Sequence, residues 1–415
     1  MSAVGRHSEP ALVQGGQWLT RRDCKRVLVI AHTVVYAQRL KHAFSLLAAD
    51  FRVQVVFTVA PHPFGEGVAR YLRRAGITVI AWEDALRNRF DLALAAGSLG
   101  IEKVRAPVIR LSHGAGHNKV LREPADPAEA ARRPPGMLSR RHLMHDGRVV
   151  PAAVGLSHER YLADLARSCP EALSVATVVG DPGYDRIVAN MPRREHYRRM
   201  LGVADGQQLL LVTSTWGPSS AFGRFDVLLP QLLGRLPERR YRIAVLIHPN
   251  VWAGHGYWQV HGWLADCRKH GAVVLPPETD WEALLISADA IIGDHGSLTA
   301  YGALTGAPIL LTHSPERTVA ENSPAALISA AAPVLSPSRP LEEQLRYAAD
   351  AYREEQYAAV AALLSSVPGQ FHRRMRALMY RLLDLGEPAF AAPVPPVPAP
   401  PALDRAGEGE WGVSA

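Results

Sequence analysis

Apolar positions along this 415-residue chain fall into two rhythms, short continuous runs and stretches at helical spacing. In the first half, residues 26–31, 53–59, 77–81, 92–95 and 108–111 read as short buried strands. Between them, 37–49 and 68–75 carry apolar residues at helical spacing, the second closed by Gly76. After 175–179 the pattern starts again. Strands are predicted at 209–212, 243–247, 273–275, 290–292 and 308–311, and helices at 193–201, 225–233, 261–270, 281–287 and 298–305. A long helix is expected over 341–364 and a basic one over 371–385. Strands alternating with helices imply parallel sheets covered on both faces.

The fold class expected is therefore α/β, with two doubly wound, Rossmann-type halves. The segments read as a tail over 1–24, a first domain over 25–185, a second over 186–370, a terminal helix over 371–386 and a Pro/Ala-rich tail over 387–415. The last segment holds Pro393-Val394-Pro395-Pro396-Val397-Pro398 and is expected to stay extended and mobile, with too little apolar surface to fold.

Composition is globular, with 48% hydrophobic and 20% charged residues. The formal net charge of +7 favours anionic partners. Arg132, Arg133, Arg140, Arg141 and Arg148 face only Asp146 in their stretch, and Arg373, Arg374, Arg376 and Arg381 mark the terminal helix. Both are candidate docking surfaces for a membrane or a lipid-linked acceptor, and the first is equally consistent with a solvated loop. No nucleic-acid reading module accompanies the charge, so no nucleic-acid partner is expected. Cys24, Cys169 and Cys267 are odd in number and lack CxxC spacing, which suggests neither a disulfide framework nor a zinc site and fits a reducing cytoplasm. The apolar run at 26–31 is too short for a signal peptide.

Ligands of open parallel sheets sit beyond the carboxyl ends of the strands. Four strand ends carry chemistry. Ser112-His113-Gly114-Ala115-Gly116-His117-Asn118-Lys119 offers a general base in His113, close backbone approach at Gly114 and an anion-holding Lys119. Ser214-Thr215-Trp216-Gly217 offers the Thr215 hydroxyl to a phosphate or ribose. His248-Pro249-Asn250 places a second histidine after an apolar strand. Gly293-Asp294-His295-Gly296-Ser297-Leu298-Thr299 runs strand, turn, helix, which presents backbone N–H groups and a helix N-terminus to an anion, with Ser297 and Thr299 as hydroxyl donors. Asp294 could orient His295 or cap that helix. A fifth segment, Gly180-Asp181-Pro182-Gly183-Tyr184-Asp185, reads equally as a cleft-wall turn or a hinge.

In this order, the segments resemble the CDP-glycerol glycerophosphotransferase family, teichoic-acid polymerases and primases of GT-B fold. The family's Trp-His-Gly-Thr segment resembles Ser112-His113-Gly114-Ala115, its Gly-x-Pro-x-x-Asp turn resembles Gly180 to Asp185, and its Pro-Thr-Trp strand end resembles Ser214-Thr215-Trp216. Its His-Pro pair matches His248-Pro249, and its Asp-x-Ser-Ser helix start resembles Asp294 to Ser297, with Gly296 at the first serine. The resemblance implies two facing domains with a cleft between them, the first binding acceptor and the second a nucleotide-diphosphate donor, CDP- or UDP-linked. It implies that His113 deprotonates a hydroxyl or lipid-linked acceptor and that His248 steadies the leaving phosphate. Gly114, Lys119, Thr215, Asp294, His295, Gly296, Ser297 and Thr299 would line the substrate and phosphate site. No metal or other cofactor is expected, and the location implied is cytoplasmic, on the inner face of the membrane where the acceptor is lipid-linked. A UDP-sugar epimerase or glycosyltransferase of the same fold, and a non-catalytic nucleotide-binding protein, stay open as alternatives.

Overall fold

The computed structural model describes residues 21, 23–116, 138–224, 233–314, 319–398 and 400–403. Strands β1 (Lys25–Ala31), β2 (Val53–Val59), β3 (Val79–Ile80), β4 (Leu92–Ala95), β5 (Val108–Leu111), β8 (Ala153–Leu156) and β9 (Ala176–Val178) form one parallel sheet, in the order β3-β2-β1-β4-β5-β8-β9. A two-stranded hairpin, β6 (Met144–His145) and β7 (Arg148–Val149), interrupts it in sequence. Strands β10 (Gln208–Ser214), β11 (Tyr241–Ile247), β12 (Ala272–Val274), β13 (Ala290–Gly293) and β14 (Ile309–Leu311) form a second parallel sheet, ordered β12-β11-β10-β13-β14. Each sheet buries both faces. Val27 and Val29 point into one core of the first lobe, Leu28 and Ile30 into the other. That two-sided burial is why the strands are continuous apolar runs and do not alternate.

The chain finishes by returning to the first lobe. Helix Phe371–Leu383 places Phe371, Met375, Leu378 and Met379 in the same core as Val27 and Val29. Its start is fixed by Asp185, whose carboxylate accepts from Gly369 N (2.6 Å) and Phe371 N (2.8 Å).

Three expectations change. The helix expected over 341–364 is two helices, Leu341–Asp350 and Glu354–Ala362. Leu341 and Leu345 pack on one side of the second sheet, whereas Tyr357 and Val360 pack on the other, and a single straight helix cannot serve both. The break falls at Arg353, which has extended backbone and whose guanidinium donates to the Asp350 and Tyr352 carbonyls. The segment 182–190 is a helix capped by Asp181, whose side chain accepts from Tyr184 N. The proline-rich segment expected to be mobile lies docked over its described residues. Val397 and Leu403 are buried in the second lobe's core, Val397 N donates to Asn190 Oδ1, and Leu403 N donates to the Leu201 carbonyl. Two apolar anchors and buried polar partners supply what the bulk composition of the segment hides. Residues 1–20, most of the expected 225–233 helix and residues 117–137 lie outside the described residues.

Candidate active site between the two lobes

Strand order locates the crevice. In the first lobe the order reverses between β1 and β4, and in the second between β10 and β13. Ligand sites of doubly wound sheets sit at such switch points. The residues beyond these four strands are His32, Gly97-Ser98-Leu99, Thr215 and Asp294 to Ser297.

On the second lobe, the turn after β13 is built around Asp294. Its buried carboxylate accepts from Thr215 N (2.9 Å), Ala221 N (2.7 Å) and Gly296 N (2.8 Å), with Ser214 Oγ at 3.4 Å. Asp294 therefore clamps two strand-end loops together, and Gly296 takes the N-cap position of helix Ser297–Gly302. The first intrahelical bond is Ala300 N to Gly296 O, so the N–H groups of Ser297 to Thr299 precede the helical ladder. Thr215 is buried beside the turn, and Thr299 Oγ1 lies 3.4 Å from Thr213 Oγ1 inside the sheet. His295 is buried, its ring 6.2 Å from that of His313.

The loop clamp also explains Gly296. A Cβ there would stand 2.9 Å from Asp294 Oδ1 and 3.0 Å from Thr215 Cβ. Gly296→Ser should therefore cost stability by overpacking, about 1–3 kcal/mol. A urea midpoint equal to wild type would contradict this.

His248 N-caps helix Pro249–His255, and its Nδ1 accepts from Asn250 N (3.1 Å). In the neutral ring that bond leaves the proton on Nε2, the donor side. On the first lobe, His113 follows β5 and is half-buried. Burial and the nearby Arg110 and Arg39 charges push its pKa down to about 3, against a hydrogen bond to the Ala96 carbonyl. His113 is thus a neutral, oriented imidazole at neutral pH.

The two sides meet. Gly114, with φ of 74°, follows His113, and a Cβ there would come 2.4 Å from Ser297 Oγ. Any side chain at 114 would collide with the turn after β13, and the left-handed backbone also favours glycine. A row of rings runs across the cleft from one histidine to the other. Its centroid spacings are His113 to Tyr36 4.5 Å, Tyr36 to His62 6.1 Å, His62 to Phe64 5.9 Å, Phe64 to Trp216 5.2 Å and Trp216 to His248 6.4 Å. Below it, Arg39 Nη2 pairs with Asp181 (2.8 Å), Tyr301 OH donates to Asp181 (2.9 Å), and Arg39 Nε holds the Ser112 carbonyl (3.0 Å). The buried Arg39–Asp181 pair thus ties a first-lobe helix, the His113 loop and a second-lobe helix.

Of the residues expected from sequence, His113, Gly114, Ser297, Gly296 and Thr215 come together at the cleft, and His248 joins them through the ring row. Asp294 and Thr299 turn inward, and Lys119 lies outside the described residues. Of the terminal arginines, Arg376 bonds Glu387 and the Phe390 carbonyl, and Arg374 bonds Gln370 and the Val178 carbonyl. Both are spent within the fold. Sequence reasoning missed Arg39, Asp181 and Tyr301 as one network. It also missed His32 and His62-Pro63, although both are strand ends of the kind it searched. Among the described residues no group of three or more His, Cys, Asp or Glu side chains could hold a metal ion, and no helix is long and apolar enough to cross a membrane.

By sequence, the chain matches no family model and no curated protein. By structure it is similar to the wall teichoic acid polymerase TagF. A histidine-to-alanine variant of that protein aligns with a TM-score of 0.58 at 12% identity, over 87% of this chain and 89% of that one. The unsubstituted polymerase aligns at 0.57 and 12%, over 86% and 87%. S. aureus MnaA in complex with UDP aligns at 0.52 and 12%, over 88% and 100%. At such identity the likeness establishes the fold, and the chain has the GT-B architecture of two facing α/β lobes.

Proposed function

We propose that the protein is a transferase that moves a glycerophosphate-like or glycosyl group from a nucleotide-diphosphate donor, CDP-glycerol-like in the first instance, to a hydroxyl acceptor. The observation that carries this reading is the meeting of Gly114 with Ser297, which brings the His113 loop against a strand–turn–helix of phosphate-binding type.

In this reading the donor's diphosphate sits at Ser297 Oγ and the amides that open helix Ser297–Gly302, where the positive helix end favours negative charge. The acceptor hydroxyl lies on the first-lobe side. The ring nitrogen of His113 not bonded to Ala96 takes its proton as the oxygen attacks the donor, at phosphorus for a polyol phosphate or at carbon for a glycosyl group. The bond to the nucleotide phosphate breaks, and the charge left there is met by the helix amides and by His248 Nε2–H. The negative charge of a bound donor favours the protonated ring of His113 as it takes the proton.

A thermal-shift screen against CDP-glycerol, CDP-ribitol, UDP-sugars and GDP-sugars tests this. A donor at about 100 times its Kd should stabilise the fold by about 2.7 kcal/mol. The same donor should then release nucleotide only when an acceptor is present. A UDP-sugar that is interconverted without acceptor would favour the epimerase alternative, and the absence of any nucleotide-dependent shift would remove the reading.

A further inference from the structure

Helix Phe371–Leu383 returns the chain to the first lobe, and the proline-rich segment that follows leaves it again. One end of that segment is pinned on the first lobe. The Gly386 carbonyl accepts from Arg52 Nη2 (2.9 Å), Glu387 pairs with Arg376 Nε (3.1 Å), and the Phe390 carbonyl accepts from Arg376 Nη1 (2.8 Å). The other end is pinned on the second lobe. Val397 N donates to Asn190 Oδ1 (3.2 Å), the Val397 carbonyl accepts from Tyr197 OH (3.1 Å), and Leu403 N donates to the Leu201 carbonyl (3.0 Å). From Glu387 to Pro396 no residue is buried. Where the segment passes the seam, a cavity of about 280 Å³ lies beneath it, lined by Arg74 of the first lobe, residues 276 and 278–280 of the second, and Pro398, Pro400 and Pro401. The segment is thus held mainly at its two ends.

We propose that residues 387–403 are a strap that holds the two lobes at the closed setting of the cleft, and that its detachment lets the lobes part. Prolines at 388, 393, 395, 396, 398, 400 and 401 fix φ and make such a run a semi-rigid spacer. A spacer pinned at both ends sets the distance between its anchors. The Asp181 and Arg186 ties sit on the crossover helix Pro182–Asn190, whereas the strap grips the second lobe beyond them, at Asn190, Tyr197 and Leu201. Of the second lobe's core cluster only Val397 and Leu403 belong to the strap, so the lobe keeps its core when the strap detaches. The cleft is shut in this structure, with Gly114 against Ser297 and the Phe64 ring 5.2 Å from that of Trp216. A ligand of the cleft therefore enters as the lobes part, and the strap sets how readily they do. The strap follows from the two-lobed fold and does not rest on the transferase reading.

The test uses the full chain with Cys24→Ser and spin labels at Arg87→Cys on the first lobe and Lys269→Cys on the second. Both positions are exposed, and Cys169 and Cys267 are buried away from the label. The distance between the labels reports the lobes and ignores the tail. Val397→Asp with Leu403→Asp puts two carboxylates where the core would bury them, and should expel the strap. Pro393→Gly, Pro395→Gly and Pro396→Gly together keep both anchors and slacken the spacer. Each variant should broaden the wild-type distance distribution and extend it by more than about 2 Å. In wild type, the Val397 and Leu403 amides should exchange hydrogen at least about 100-fold faster than those of β10, β11 and β13, because the strap opens ahead of the lobes. Should the aspartate variant fail to fold, the glycine variant decides. A glycine variant with the wild-type distribution, or strap amides that exchange as slowly as those strands, would overturn the proposal.

Discussion

Substituting His113 by alanine should lower turnover by about 100- to 10,000-fold, the contribution of a positioned general base. The fold should survive, because His113 lies in the loop after β5, outside any helix or strand. His113→Gln keeps a polar group near that carbonyl but cannot take the proton, so it should be as slow as the alanine variant. His248→Ala should cost about 100- to 1000-fold, as loss of one donor to a developing anion does. Single-turnover rates with the donor found by thermal shift, alongside urea midpoints, separate chemistry from unfolding. Full activity in the His113 variant would remove the mechanism. A His248 variant that changes KM alone would make that residue a binding group without a role in the transition state.

Much of this arrangement is legible in the chain, and the unread part has specific causes. Residues 27–31 of β1 and the whole of β4 are continuous apolar runs, and burial on both faces leaves that signal unmixed. The strand Ala153–Leu156 follows a basic stretch and carries Gly155 inside it, which reads as a loop residue by pattern. The order of the strands is a tertiary fact. Without it the switch points are unknown, so His32 and Ser98 carried no more weight than any other polar residue. Arg110 reads as a polar residue on a strand, and its burial appears only when β4 and β8 flank β5. Asp181 could be read as a turn residue. Its partnership with Arg39 and Tyr301 joins positions 142 and 120 residues apart, which no local pattern reports.

The same buried polar groups join the lobes. Arg39, Asp181 and Tyr301 form one tie. A second is formed by Arg186 Nη1 with His42 Nδ1 (3.1 Å) and with Glu282 (3.5 Å), linking a first-lobe helix to a second-lobe helix through helix Pro182–Asn190. Hydrogen-bonded charge set at this seam fixes direction as apolar packing does not. That precision suits the proposed site, whose two histidines come from different lobes.

Building the seam and the first-lobe floor from buried histidines has a consequence for acid stability, and the expected effect is large. Burial holds His32 and His372 down at about 4 and His113 at about 3, from an ordinary value of 6.5. As pH falls through 6.5 the unfolded chain binds protons at these positions and the folded protein does not, so stability is complete above about 6.5 and is lost toward pH 4. Each group costs about 3 kcal/mol over that window. Three together approach the whole stability of an ordinary domain, about 5–15 kcal/mol. Asp185 and Glu282, which burial holds above the usual carboxylate range, act in the opposite direction, because the folded protein protonates them first. The histidines begin to act higher on the pH scale than an ordinary carboxylate does. Guanidinium unfolding between pH 7.5 and 4.5 should therefore show stability falling steeply below pH 6.5. His372 touches neither proposed substrate, and His372→Phe should reduce the slope by about 1.4 kcal/mol per pH unit, one proton's worth. The slope is the readout, since the substitution can also move the midpoint at pH 7.5. A wild-type stability that stays flat from pH 7 to 5, or a slope unchanged in the phenylalanine variant, would show that these rings are solvated in solution.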